Sequence, residues 1–424
     1  MDLNRKTAYE ILLDVEKNQA YANFATNFFV RKNAPDKEAF VRELVYGVLE
    51  NKILLDYYLD ELIPRGVRKV KKQELTLLRM GLYQLIFMNS VPEYAAVNET
   101  VNMARRFVRG QERFINGVLR GYLKKREEIR LPDSGKEPVR YLSIAYSVSE
   151  WIVKLWLETY GPEKTEELLA AINMPPRLSI RVNLMKTETR ALAEQLKEEG
   201  FDVEISDKTD RGLLVSGSKL LESEAYRKGL FSVQDIASVM ASDILGAVPE
   251  DVVADVCAAP GGKTIATAER MKNKGRIIAM DIYEHKLKLI EEQASRCGID
   301  IIRTKCHDST KEAVELAGKC DRVLADVPCS GLGVMGRKPE IKYRENPDLE
   351  ELTARQAEIL SKASGYVKPG GTLVYSTCTI NREENENQIE RFLKENKDFT
   401  VDKEIQLLPT EGTDGFFICR MIRG

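Results

Sequence analysis

A chain of 424 residues is too long for one compact core and suits two or three domains. Its 43% apolar and 31% charged residues, at a formal net charge of -2, exclude a disordered or membrane-embedded chain. No stretch approaches the ~20 apolar residues of a membrane span, and MDLNRKTAYEILLDVEKNQ scatters charge through the positions a signal peptide keeps apolar, so the expected setting is the cytoplasm.

From Arg5 to about Lys125 the apolar residues recur at helical spacing, as in Ala8, Ile11, Leu12 and Val15, then Leu75, Leu78, Leu82, Leu85 and Ile86, then Val97, Val101 and Ala104. An all-α domain over residues 1–140 is predicted. It carries 25 Lys and Arg against 19 Asp and Glu, or +6, whereas the rest carries 39 against 47, or -8. Such a basic domain suits an anionic partner, the alternative being a solvated basic face without one.

LPDSGKEP, residues 131–138, has the proline, glycine and polar content of a linker. Residues 143–172 read as helices broken at Gly161-Pro162 and closed by Pro175-Pro176. LSIRVN and FDVEIS then read as strands flanking a helix from Thr187 to Glu199, a small α+β module over residues 177–232. Together these helices and this module make a middle segment, 141–232. From Asp251 onward VVADVC, RIIAMD, IIRTK, RVLADV, GTLVYS and FFICR alternate with helical stretches, which predicts an α/β domain over 233–424 with a mainly parallel sheet covered on both faces.

In DVVADVCAAPGGKT a strand meets a Pro-Gly-Gly turn and then a helix, so Gly261 and Gly262 stand where backbone passes close to a ligand. A nucleotide-like ligand is implied, although a Gly-Gly turn alone is as often structural. The motif is neither GxGxxG nor GxxxxGK[ST], which disfavours an oxidoreductase using a dinucleotide and a phosphoryl transferase. Asp281 ends the next strand about 20 residues on, where a carboxylate accepts both ribose hydroxyls. Asp308 follows the third strand and is placed either to accept from an adenine amino group or to cap a turn with Ser309 and Thr310 beside it.

All seven cysteines lie from Cys257 onward, none in a CxxC or His-rich spacing, so neither disulfides nor a metal is expected. Two of them, Cys329 in DRVLADVPCSGLG and Cys378 in GGTLVYSTCT, follow sheet strands and precede loops, which directs both thiols to the side of the sheet where ligands bind. Pro328 fixes the first turn, and Gly331 and Gly333 are expected to loosen the loop after it. Methylating C5 of cytosine needs a thiolate to add at C6 and make C5 enamine-like, followed by a base that removes the C5 proton. The residues alone leave open which cysteine is the nucleophile. Asp326, three residues before Cys329, is placed to favour protonation at cytosine N3 or, alternatively, to accept loop N–H groups.

DVCAAPGGKT, ADVPCSGLG and VYSTCT, in this order and spacing, resemble the motifs of the NOL1/NOP2/Sun family of RNA cytosine-C5 methyltransferases. QDIASVMASDIL, GRKPEIKYR, EENENQI and GFFICR are similar to further family segments, so the resemblance covers 177–424. It implies a Rossmann-like class I methyltransferase domain using S-adenosylmethionine, with Cys378 as nucleophile and Cys329 assisting release. It further implies that Cys257, Ala258, Ala259, Pro260, Gly261, Gly262 and Lys263, with Asp281, Asp308 and Asp326, line the cofactor pocket.

RKTAYEILLDVE, RELVYGVLENK, ELTLLRMGLYQLIFM, PEYAAVNETVNMAR and RFINGVLRGYL resemble the NusB-like RNA-binding helical domain. That fusion is similar to the bacterial Sun/Fmu/RsmB branch and implies a monomeric enzyme that modifies cytosine 967 of 16S ribosomal RNA, alone or in a small-subunit precursor, with no DNA or membrane partner. The alternative substrate is another RNA, such as transfer RNA. A non-catalytic RNA-binding factor is disfavoured by the intact cysteines. Arg105, Arg106, Arg109, Arg113, Arg120, Lys124, Lys125 and Arg126 suit sequence-blind phosphate contacts, and Arg337, Lys338 and Lys342 are candidates for holding the target's backbone.

Overall fold

The computed structural model describes residues 2–18, 20–217, 219–345 and 348–424, and the chain forms two compact units. One takes 1–174 together with 335–346, and the other takes 175–334 and 347–424.

The first unit is helical: α1 (Leu3–Asn18), α2 (Ala22–Asn33), α3 (Glu38–Glu50), α4 (Lys52–Leu62), α5 (Lys72–Phe87), α6 (Glu93–Phe107), α7 (Glu112–Lys125), α8 (Pro138–Tyr146) and α9 (Glu150–Ala171). Leu75, Leu77, Leu78, Met80, Leu82 and Tyr83 are buried around the circumference of α5, so this helix is the core onto which α1, α3, α4, α6 and α7 pack. By contrast α6 and α7 each bury one face, through Val97, Met103 and Ala104 and through Ile115, Leu119 and Tyr122. Helix α9 breaks at Gly161 (φ 77°, ψ 172°), because a residue before proline is pushed out of the helical region. Helices α8 and α9, which the sequence groups with the small module, lie in this unit, with α8 packed on α4.

The second unit opens with an antiparallel sheet of β1 (Leu178–Val182), β2 (Asp202–Ile205), β3 (Gly212–Ser216) and β4 (Phe231–Val233), in the order β2-β3-β1-β4. Helix α10 (Thr189–Glu198) joins β1 to β2, and the short α11 (Glu224–Arg227) precedes β4. The sequence pattern does not single out β3 or β4, the latter only three residues long.

Helix α12 (Ile236–Ile244) leads into the larger sheet. Its elements are β5 (Val252–Asp255), α13 (Gly262–Arg270), β6 (Arg276–Asp281), α14 (Glu284–Cys297), β7 (Ile302–Cys306), β8 (Cys320–Asp326), α15 (Leu349–Ser364), β9 (Val367–Thr377), α16 (Glu386–Glu395), β10 (Phe399–Leu407) and β11 (Phe416–Arg423). The order is β10-β11-β9-β8-β5-β6-β7, parallel from β5 to β9, with β11 antiparallel between β9 and β10. The all-α, α+β and mainly parallel α/β parts expected from the sequence are therefore present. The strand order reverses direction between β5 and β8, and ligands of such sheets bind at the carboxyl ends beside that reversal.

A buried ionic cluster ties the small sheet to α13. Arg181 on β1 donates through Nε and Nη2 to the Glu269 carboxylate at 2.8 and 2.9 Å, with the two side chains 0% and 1% exposed. Its Nη1 donates to the Gly262 carbonyl at 2.9 Å, which fixes the first residue of α13. Arg211 completes the cluster through Glu269 and Asp243, as charges removed from water require.

Candidate active site

The turn between β5 and α13 is held at both ends. Gly261 has φ 104°, a conformation side-chain-bearing residues avoid. The Ala258 N–H donates to the Met280 carbonyl at 2.8 Å and the Ala259 N–H to Asp281 Oδ2 at 3.2 Å, so the carboxylate that ends β6 lies against the turn, as its position in the sequence predicts. Asp281 Oδ1 accepts from the Tyr283 N–H at 3.0 Å. Asp308, after β7, accepts at Oδ1 from the Thr310 N–H and hydroxyl at 3.1 and 2.7 Å, the turn-capping arrangement, and its Oδ2 lies 3.6 Å from the Lys311 ammonium.

Beneath the turn sits Asp255, which the sequence reading passed over. Thr264 Oγ1 donates to its Oδ2 at 2.7 Å, and its Oδ1 is buried with no hydrogen-bond partner. Burial pushes this carboxyl up to about 7, against the Thr264 hydrogen bond. The folded chain thus keeps a proton that the unfolded chain has released by about pH 5, so this contribution to stability is present below the unfolded value and is lost as pH rises through about 7. In cofactor-free buffer the wild type is expected to lose several degrees more of thermal stability between pH 5 and 8 than Asp255→Asn, and parallel profiles would contradict this assignment.

The register of β8 on β9 pairs Asp326 with Ser376, which brings the two strand ends level. Three residues beyond Asp326 and two beyond Ser376, the cysteine sulfurs lie 3.2 Å apart, both part-exposed. Lys263 Nζ donates to Asp326 Oδ2 at 2.7 Å, Ser376 Oγ donates to Asp326 Oδ1 at 2.7 Å, and the Lys263 ammonium lies 5.0 Å from the Phe416 ring centre. Burial opposes the charge on Lys263, but Asp326, Cys378 and Asp255 outweigh it and hold the ammonium above its ordinary value. The hydrogen bond to Cys378 is the largest of the effects that push the Cys329 thiol well up, with burial adding to it. Cys257 is also pushed well up, by burial and then by Asp255, so its thiol is unreactive.

Two residues of the segment EENENQI clamp the cysteine loops, a role the sequence did not expose. Glu384, wholly buried, accepts from the Ser330 N–H at 2.8 Å and the Ser330 hydroxyl at 2.5 Å, and from Gln356 and Asn381 at 3.0 and 3.1 Å. Asn385 accepts from Thr377 Oγ1 at 2.5 Å and donates to the Thr379 carbonyl at 3.0 Å. The loops bracketing Cys329 and Cys378 therefore share one set of buried partners, and Ser330 Oγ meets Thr379 Oγ1 at 2.9 Å.

Gly333 does not loosen its loop as expected. Its N–H donates to the Cys378 carbonyl at 3.0 Å, its carbonyl accepts from the Gly415 N–H at 2.9 Å, and an added Cβ would fall 1.9 Å from the Gly415 oxygen. The glycine is needed for close backbone approach. Gly333→Ala is expected to cost about 1–3 kcal/mol of stability and to lower turnover, read by thermal unfolding and methyl incorporation. An equally stable and active variant would show that this crossing tolerates a side chain.

The candidate Lys342 is overturned as a contact for the RNA backbone. It lies in the 335–346 segment that belongs to the helical unit and is 0% exposed, with its ammonium on Asn173 and burial pushing it down to about 8 against the charge of Glu50. Nearby, the Tyr343 hydroxyl donates to the Leu49 carbonyl and accepts from the Lys52 N–H. Lys338 is exposed and Arg337 half-buried.

Three family models match the chain: the NusB family over residues 2–124, the RsmF/B-like ferredoxin-like domain over 148–219, and 16S rRNA methyltransferase RsmB/F over 242–422. A Bacillus subtilis (strain 168) protein named probable ribosomal RNA small subunit methyltransferase B is 38% identical, covering 98% of this chain and 98% of its own length. A protein of the same name from Synechocystis sp. is 35% identical, covering 93% and 90%. The crystal structure of PH0851 superposes with a TM-score of 0.86 at 25% identity, over 99% of this chain and 98% of that one. A NusB-like helical part, a ferredoxin-like module and a Rossmann-like sheet together define an RNA methyltransferase. Within that class, the chain belongs to the RsmB/F family.

Proposed function

We propose that this protein methylates C5 of cytosine 967 in 16S ribosomal RNA, with S-adenosylmethionine as donor and through a transient bond between Cys378 Sγ and C6 of the base. The observation that carries the reading is the part-exposed pair of sulfurs 3.2 Å apart beside Lys263 and Asp326. On this reading the chain divides into an RNA-binding helical part over 1–140, a linking and α+β part over 141–232, and a catalytic part over 233–424.

The residues around the glycine turn fit the cofactor. The φ of 104° at Gly261, the unpartnered Asp255 Oδ1 and the Asp281 carboxylate give a turn bordered by acceptors, which suits a nucleoside. Cys257 to Lys263, Asp281, Asp308 and Asp326 would hold it. When bound, it supplies an electrophilic methyl group.

The Lys263 ammonium favours the thiolate of Cys378, which adds to C6 and sends an electron pair to N3. Asp326, paired with Lys263, favours protonation at N3. That proton passes from Lys263 through the pair and returns when C5 takes the methyl group. Once the Cys378 sulfur is bonded to C6, its hydrogen bond with Cys329 is lost, and with it the largest effect raising the Cys329 thiol. The Cys329 proton passes to solvent from this part-exposed sulfur, the Cys329 thiolate takes the C5 proton, the C5–C6 double bond re-forms and the Cys378 thiolate leaves. A stacked base cannot meet either sulfur, so the target cytosine must be unstacked. Bisulfite sequencing of 16S ribosomal RNA from a strain lacking the gene is expected to lose one protected cytosine, at position 967. Unchanged protection there would refute the substrate.

A further inference from the structure

Helices α6 and α7 present matched polar stripes. On α6, Asn98, Asn102 and Arg105 recur at i, i+4 and i+7, and on α7, Arg113, Asn116 and Arg120 recur at i, i+3 and i+7, spacings that place each set on one helix face. An open cleft of about 430 Å³ runs between the stripes, lined by all of them but Arg120, with Val101 the one apolar lining residue and Glu112 the one acid. Glu112 is already engaged, since its Oε1 accepts from the Gly110 N–H at 3.1 Å.

Two asparagines are held in place by arginines of their own stripe. Arg105 Nη1 donates to Asn102 Oδ1 at 2.8 Å, and Arg120 Nε donates to Asn116 Oδ1 at 3.1 Å. The amide of Asn98 is exposed and makes no side-chain hydrogen bond among the described residues. The cleft therefore offers two held amides, Asn102 and Asn116, and one unengaged amide, Asn98, groups that both donate and accept, flanked by guanidinium groups in excess over carboxylate. Its size lies in the range of small-ligand sites. A buried hydrophobic face explains neither stripe, because both point away from the packed sides of α6 and α7.

We propose that this cleft binds an unpaired RNA nucleotide, with Arg105 and Arg113 on the flanking phosphates and the Asn98 and Asn116 amides on the base edge. Guanidinium matches phosphate, whereas paired amide donors and acceptors match the edge of a base only where that edge is not already paired. The inference rests on the reading of the chain as an RNA methyltransferase and adds a site that distinguishes sequences, where the basic run of α6 and α7 alone is blind to them.

The test is fluorescence anisotropy of the full-length protein with single-stranded RNA 12-mers of varied sequence and a matched duplex, over a salt series. Wild type is expected to prefer some single strands. Arg105→Ala with Arg113→Ala is expected to weaken every RNA and to reduce the salt slope by about 1.4 on single strands. Asn98→Ala with Asn116→Ala is expected to weaken the preferred strand roughly tenfold at an unchanged slope, leaving the duplex unaffected. Helical circular dichroism and thermal unfolding of each variant confirm that the helical unit is folded. Wild-type binding by both double variants overturns the inference alone, as would happen if the cleft held a protein partner. Equal weakening of single strands and duplex by the asparagine variant also overturns it, because the base edge is then not read. A wild type that binds no RNA overturns the methyltransferase reading itself.

Discussion

Cys329→Ala is expected to accumulate a covalent enzyme–RNA complex that survives a denaturing gel, and Cys378→Ala to form neither complex nor product. The asymmetry follows from the surroundings of the two sulfurs. Lys263 carries its charge next to Cys378, whereas Cys329 is held as a thiol by its hydrogen bond and by burial. Addition to C6 therefore proceeds without Cys329, and elimination stalls without a base to remove the C5 proton. Loss of Cys378 is expected to lower methyl transfer on the order of 10³-fold or more, since no other group supplies the bond. Gel electrophoresis with labelled RNA and methyl-incorporation assays read both outcomes. A stable complex from Cys378→Ala and none from Cys329→Ala would exchange the two roles.

Glu384→Ala is expected to be the most damaging change among the residues that touch no reactant. It removes a buried acceptor from the Ser330 N–H and hydroxyl, Gln356 and Asn381, leaving the Ser330 hydroxyl only Thr379 and the Gln356 Nε2 group only the Pro328 carbonyl. Leaving buried donors without their acceptor is expected to cost about 3–5 kcal/mol, seen as a lower unfolding midpoint in urea. Because Ser330 follows Cys329 directly, the loop that sets the 3.2 Å sulfur contact loses its anchor. Turnover is expected to fall roughly 100-fold, with cofactor affinity by calorimetry little changed. Glu384→Gln keeps one acceptor oxygen and is expected to recover part of both losses. If Glu384→Ala unfolds and turns over like the wild type, the clamp has no bearing on the cysteines.

What the sequence made legible were features with a local signature. The helical period of α1, α5 and α6, the strand before Pro-Gly-Gly, the acid ending β6, and the cysteines after β8 and β9 each sit within a few residues of their own evidence. Contacts between distant segments were not legible. Arg181 and Glu269 are 88 residues apart, Ser330 and Glu384 are 54 apart, and neither partner has a pattern pointing to the other. Gly333 illustrates the ambiguity best, since a loop glycine reads as freedom from sequence and is here required by the backbone of Gly415. Lys342 failed for a related reason. A lysine in a polar loop is usually solvated, and nothing nearby signals that residues 335–346 pack in the helical unit. EENENQI matched a family segment, yet its chemistry became clear only when Glu384 and Asn385 were seen to hold both cysteine loops.

The central claim is that one identified sulfur bonds to the base. RNA carrying 5-fluorocytosine cannot lose its C5 substituent as a proton, so the adduct is trapped after methyl transfer and survives digestion. Peptide mass spectrometry of wild-type enzyme incubated with such RNA and S-adenosylmethionine is expected to place the nucleotide on the peptide containing Cys378. A nucleotide on the Cys329 peptide, or on no cysteine at all, would contradict the mechanism.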